Sequence, residues 1–210
     1  HPRIILNKYN DIKMIDSLDE KINHLEKIGI DHLIIHPFDK KFSLLSADQF
    51  IKEYLVEKLK LKHIIIGYDH RFGKGREASV KDLKEYSREF NFVVDEIDAQ
   101  EIEKIAISST KIRNSINEGD LKTTKTYLGR FFSLTGKVVK GDGLGKQINY
   151  PTANISIEED YKIIPKDGVY YIKTTIDNNL YNGMMNIGHR PTIGTKEKSI
   201  EVNLFNFDRD

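Results

Sequence analysis

Three stretches of the chain concentrate side chains and backbone suited to holding phosphate. The first, Gly67-Tyr68-Asp69-His70-Arg71-Phe72-Gly73-Lys74-Gly75-Arg76, combines glycines with four cationic groups if His70 is counted. Glycine lets backbone N–H groups converge, and Arg and Lys supply charge, so the loop suits a phosphate or a planar ligand. It is not a P-loop, because Gly67 and Gly73 enclose five residues and no Ser or Thr follows Lys74. The competing reading is a solvated basic loop, since loops are ordinarily polar.

The second stretch is Ile107-Ser108-Ser109-Thr110-Lys111-Ile112-Arg113. Its hydroxyls fall where a helix should begin, and Gly119 falls where that helix should stop. Free amides and hydroxyls at a helix start form an anion site, with Arg113 one turn further on. A plain N-cap needs only one of the three hydroxyls. The third stretch runs from Gly141-Asp142-Gly143-Leu144-Gly145-Lys146 to Tyr150-Pro151-Thr152-Ala153-Asn154. In an extended chain Thr152 and Asn154 share a face, and their oxygens are hard ligands that suit Mg²⁺ held together with phosphates. On chemistry alone a turn with polar decoration remains the simpler account.

Regular elements must position these stretches. Ser17-Leu18-Asp19-Glu20 is a capping-box signature, followed by Ile22 and Leu25 at helical spacing, with Gly29 as the stop. Ser46 and Ser79 open two further helices. The runs Leu33–Ile35, Ile64–Ile66 and Phe92–Val94 read as buried strands. This alternation predicts a parallel α/β sheet with both faces covered, and ligands in such sheets bind beyond the carboxyl ends of the strands. After about Arg130 the helical period disappears. Strand-like runs over 134–139, 169–176, 181–187 and 200–207 follow, with Asp177-Asn178-Asn179 as a turn, predicting a small antiparallel β-barrel. The predicted domains are 1–130 and 131–210.

Composition narrows the class. The 210 residues carry 33 Lys+Arg against 32 Asp+Glu, a net charge of +1 that disfavours nucleic acid as a partner. No basic-aromatic stripe marks an RNA-binding barrel. The absence of cysteine excludes disulfides, thiolate metal sites and cysteine nucleophiles, and permits a cytoplasmic setting. No apolar run reaches the roughly 18 residues of a membrane span. The chain starts at His1 without Met and stops in the strand-like Ile200–Phe207 run, so truncation at both ends is expected.

Five motifs in order, Gly67–Gly73, Ile107–Arg113, Tyr127-Leu128-Gly129-Arg130, Pro151–Asn154 and Asn186-Ile187-Gly188-His189-Arg190-Pro191-Thr192, resemble the prokaryotic bifunctional riboflavin kinase/FMN adenylyltransferases. The resemblance covers the whole chain. It implies an N-terminal nucleotidyltransferase-like (Rossmann-like) domain that adenylylates FMN, and a riboflavin kinase barrel, with ATP, riboflavin and FMN as substrates. Gly67, Tyr68, Asp69, Arg71, Phe72 and Gly73 would line the flavin and nucleotide cleft. Ser108, Ser109, Thr110 and the catalytic Arg113 would hold ATP phosphates. Gly141, Gly143, Gly145 and Lys146 would cover the kinase phosphates, next to Pro151, with Thr152 and Asn154 as Mg²⁺-ATP ligands. The family's Gly-x-Phe-Asp-Gly-x-His-x-Gly-His motif should precede His1 and its kinase base should follow Asp210. Glu201 belongs to the preceding strand motif, and Asn203, Asn206 and Tyr150 depart from the usual His, Asp and Phe. The alternative is a flavin- or nucleotide-binding fragment, or a regulatory module, without turnover. Oligomeric state is not encoded in any of these features.

Overall fold

The computed structural model describes residues 12–97, 101–102, 105–141, 145, 150–189 and 198–207. The helices are α1 (Leu18–Ile28), α2 (Ala47–Gln49, continued by a π-helical stretch Phe50–Lys58), α3 (Val80–Phe90), α4 (Ser109–Glu118) and α5 (Leu121–Leu128). The strands are β1 (His63–Gly67), β2 (Val93–Ile97), β3 (Glu101–Ile102), β4 (Ile105–Ala106), β5 (Lys137–Val139), β6 (Ala153–Ser156), β7 (Gly168–Ile176), β8 (Asn179–His189) and β9 (Lys198–Leu204). By contacts the chain forms two units, one including His32–Ile107 and the other combining Lys13–Asp31 with Ser108–Asp210.

Helix starts and stops follow local chemistry. Capping boxes close on Ser17/Glu20 and Ser46/Gln49, and the Asp82 carboxylate accepts from both the N–H and the hydroxyl of Ser79. Gly29, Gly119 and Gly129 end α1, α4 and α5 in the left-handed conformation that lacks a steric penalty only for glycine.

In the first unit β1 and β2 pair in parallel from His63↔Val93 to Gly67↔Ile97, with α3 as the crossover. Ile64, Ile66 and Val94 face a core of Ile51, Leu83 and Phe92. The expected double-sided burial is not met: Ile65 and Val93 are 64% and 56% exposed on the other face. Leu33, Ile34 and Ile35 are likewise exposed and form no strand, because no described strand lies beside them to take their hydrogen bonds. The helix expected after Ser46 is present, but beyond Gln49 it widens, and the Leu59 N–H reaches back to the Tyr54 carbonyl.

In the second unit five antiparallel strands are ordered β5-β6-β9-β8-β7. Asp177 and Asn178, both at positive φ, make the two-residue turn between β7 and β8, and Asn179 already belongs to β8. Ile187 and Ile200, neighbours in the ladder, are buried on one face. The sheet has the antiparallel character of the expected barrel, and no closing pair between β5 and β7 is found among the described residues. Residues 13–16 run beside 160–163, with Met14 N–H on the Tyr161 carbonyl at 2.6 Å and Ile163 N–H on the Met14 carbonyl at 2.9 Å. There Lys162 is buried against the Glu20 carboxylate, and Arg130 Nη2 meets both Asp16 oxygens at 2.7 Å. Burial pushes the Lys162 ammonium below its ordinary range, and Glu20 pulls back only in part.

Candidate functional site

The Gly67–Arg76 loop leaves the carboxyl end of β1, where ligands bind in parallel sheets. Both of its ends are pinned. Tyr68 N–H donates to Ile97 O at 3.0 Å, and Phe72 and Ala78 exchange two backbone bonds of 3.1 Å. Phe72 turns into the core beside Phe50, and His70 stacks on Phe72. Gly73, at φ 77°, lies so close to the start of α2 that a Cβ would stand 2.8 Å from the Ala47 nitrogen. Tyr68, Asp69, His70 and Arg71 are therefore held out into solvent by an anchored frame.

The Ser108–Arg113 stretch lies in the second unit and starts α4 as expected. Ser108 Oγ accepts the Lys111 N–H at 3.2 Å, leaving the cap to one hydroxyl, while Ser109 and Thr110 are exposed. Ile112 and Ile116 are buried, which fixes the rotation of the helix. Arg113 is half-buried, and its Nε donates to the Lys13 carbonyl at 2.9 Å.

The third stretch is brought together most tightly. Gly141 packs on Asn154: a Cβ there would stand 1.9 Å from Asn154 Nδ2. At Gly145 a Cβ would stand 2.2 Å from Tyr150 O and 3.4 Å from Thr152 Oγ1, and the Tyr150 N–H donates to Gly145 O at 2.8 Å. Only glycine permits this approach of loop to strand. Pro151 O accepts from Asn203 Nδ2 at 2.8 Å, tying the segment to β9. Gly143, Lys146 and Arg190–Thr192 lie outside the described residues.

Strand register adds residues that sequence reasoning set aside. The pairs Val139↔Asn154, Asn154↔Glu201, Glu201↔Asn186 and Asn186↔Val169 form one row across all five strands. Direct cross-strand partners share a face, so Glu201 stands between Asn154 and Asn186, opposite the buried Ile187/Ile200 face. A carboxylate can act as a general base towards a hydroxyl brought within its reach. No local signal could have placed Glu201 there, because it is joined to Asn154 only through the ladder. An open groove of about 610 Å³ in the same unit is lined by Tyr150, Pro151 and Asn203–Phe207.

Comparison with known proteins agrees in both halves. A family model for FAD synthetase matches residues 1–111, and one for riboflavin kinase matches residues 128–210. The chain is 38% identical over 211 residues to the bifunctional riboflavin kinase/FMN adenylyltransferase of Buchnera aphidicola (Schizaphis graminum), covering 99% of this chain and 67% of the relative. The enzymes of the same name from Listeria monocytogenes and Bacillus subtilis are 36% and 33% identical, each covering 100% of this chain and 67% of the relative. A solved structure described as a macrolide-efflux protein from Streptococcus pneumoniae is 33% identical with a TM-score of 0.89, over 100% of this chain and 68% of that one. Efflux is said of that protein alone. Among the described residues of this chain no helix is long and apolar enough to cross a membrane.

Proposed function

The chain belongs to the bifunctional riboflavin kinase/FMN adenylyltransferases, transferases of FAD biosynthesis, and we propose that its two reactions use the two sets of residues described above. Residues 1–130 adenylylate FMN: the FMN phosphate attacks the α-phosphorus of ATP and pyrophosphate leaves. In the second unit Ser108, Ser109, Thr110 and Arg113 are assigned to ATP phosphates, and in the first unit the anchored Gly67–Gly73 loop is assigned to flavin and nucleotide. Residues 131–210, read as the kinase barrel, pass the γ-phosphoryl of ATP to the terminal ribityl hydroxyl of riboflavin, and ADP leaves. Both steps rely on positioning and charge neutralisation rather than on a covalent intermediate. We place both in the cytoplasm, where ATP is available.

The observation that carries the kinase assignment is the packing of Gly141 and Gly145 onto Asn154, Thr152 and Tyr150, with Glu201 as the next residue of the row. Gly143 and Lys146 complete the phosphate-covering loop. In place of a base expected beyond Asp210, we assign Glu201, on the strength of its place in this row, as the general base that takes the ribityl hydroxyl proton. Thr152 and Asn154 fit Mg²⁺, being hard oxygen donors without charge, and no cluster of three or more His, Cys, Asp or Glu able to hold a metal is found among the described residues. Mg²⁺ therefore binds together with ATP phosphates, whose charge it offsets.

The test is turnover by the full chain. With riboflavin, ATP and Mg²⁺, chromatography should show FMN and then FAD. Glu201→Gln should lower FMN formation about a hundredfold or more while FAD formation from supplied FMN persists. Binding of flavin or nucleotide without either product would favour the non-catalytic alternative.

A further inference from the structure

On this reading of the kinase site, the row Asn154–Glu201–Asn186 has a donor side and an acceptor side. The nucleotide belongs to the Asn154 side, because Gly141 and Gly145 close onto that edge. The attacking hydroxyl must reach both the γ-phosphorus and the base that takes its proton, while the nucleotide already fills the Asn154 side. The alcohol therefore enters from the opposite side of Glu201, and the residue there is Asn186, its direct partner on β8. We propose that Asn186 is a substrate-binding residue of the kinase, its amide gripping the ribityl hydroxyls so that the terminal one meets Glu201.

The side chain suits that task. Asn186 is exposed on the same face as Glu201, and its Nδ2 lies along the strand next to Gly188, where no side chain stands in the way. An amide offers two donors and an acceptor with two lone pairs, which matches neighbouring hydroxyls that each donate and accept. Being neutral, it neither repels the phosphates nor displaces the charge of Glu201. Adjacent cross-strand Cβ atoms stand about 4.5–5.5 Å apart, so a polyol on Asn186 reaches Glu201 without a shift of backbone. Beyond Asn186 the surface turns apolar: the row ends on Val169, and the neighbouring pair on the same face is Tyr171↔Met184, exposed at 64% and 43%. That sequence, carboxylate, amide, apolar surface, follows the polarity of riboflavin from its terminal hydroxyl along the polyol to the ring.

Steady-state kinetics of riboflavin phosphorylation in the full chain decide the matter. Asn186→Ala should raise the KM for riboflavin about tenfold while the KM for ATP stays within about twofold, as expected for loss of a substrate hydrogen bond. Asn186→Ser, which keeps a donor and an acceptor, should recover part of that loss. FMN adenylylation by the same preparations should be unchanged, which reports that the variants are folded. An unchanged riboflavin KM in Asn186→Ala, or an equal rise in both KM values, overturns the proposal. Glu201→Gln separates the two levels. If it abolishes FMN formation while Asn186→Ala is silent, only the role of Asn186 falls. If Glu201→Gln still phosphorylates riboflavin, the kinase site itself is elsewhere and the inference falls with it.

Discussion

The Arg113 guanidinium commits its Nε to the Lys13 carbonyl, so one of its five donors sets the direction of the group. An arginine oriented in this way is prepared to grip phosphate oxygens as a fork. Arg113→Ala should reduce FAD formation from FMN about a hundredfold or more and leave FMN formation nearly intact. Arg113→Lys should not restore it, because an ammonium lacks the fork. Equal loss of both activities would assign Arg113 to the fold instead. The Mg²⁺ role proposed for Asn154 is tested through its side-chain oxygen. Asn154→Leu keeps approximate volume, so the sheet should fold, but calorimetry should show ADP binding that no longer strengthens with Mg²⁺. Unchanged Mg-ADP affinity would return the Pro151–Asn154 segment to a decorated turn.

At the level of elements, two glycines of the second unit separate positioning from folding. A Cβ on Gly141 would meet the end of the Asn154 side chain, whereas a Cβ on Gly183 in β8 would stand 2.4 Å from the Asn203 carbonyl of β9. Asn154 can swing aside, but the ladder cannot. Gly141→Ala should therefore lower kinase turnover about a hundredfold by misplacing Asn154, with little change in melting temperature. Gly183→Ala should destabilise the unit by about 1–3 kcal/mol through overpacking. The opposite pattern in paired activity and melting measurements would refute both assignments. The same contrast explains what the sequence reveals. The starts of α1, α2, α3 and α4 are legible because Ser17, Ser46, Ser79 and Ser108 act on amides or carboxylates within three residues. The candidate site stretches stand out in the sequence because glycine, hydroxyl and charge lie together in the chain. The placement of Glu201, and of Asn186 from the fifth motif, beside Asn154 does not, since only register between distant strands joins them. The apolar runs mislead for a related reason: Leu33–Ile35 reads as a buried strand, but burial depends on neighbours that composition does not name.

Across the molecule, the two matched families and the two structural units do not share a boundary. Residues 13–31 fall within the FAD synthetase match, yet they pack in the unit that holds the kinase match. The Lys162–Glu20 pair joins them, with Lys162 Nζ also donating to Ile15 O at 2.6 Å and lying 4.7 Å over the Phe132 ring. Neither residue stands out in the sequence, where a lysine and a glutamate 142 positions apart look like surface charge. Burial makes the pair consequential, because removing one partner leaves the other charged and desolvated. Glu20→Gln keeps an acceptor for the cap of α1 and should still cost about 3 kcal/mol or more, whereas the double variant with Lys162→Met should recover most of the loss. The pH dependence gives an independent check. The folded-state pKa of Lys162 lies below its ordinary 10.5, since burial disfavours the ammonium. As pH rises from the folded value towards 10.5, the folded protein has released this proton while the unfolded chain still binds it, so stability from this group increases. Wild type should therefore gain in melting temperature relative to Lys162→Met as the buffer is raised from neutral towards pH 10. A difference between the two that stays constant, or shrinks, would show that Glu20 offsets the burial of Lys162 fully or more than fully, and that desolvation does not set its folded-state pKa.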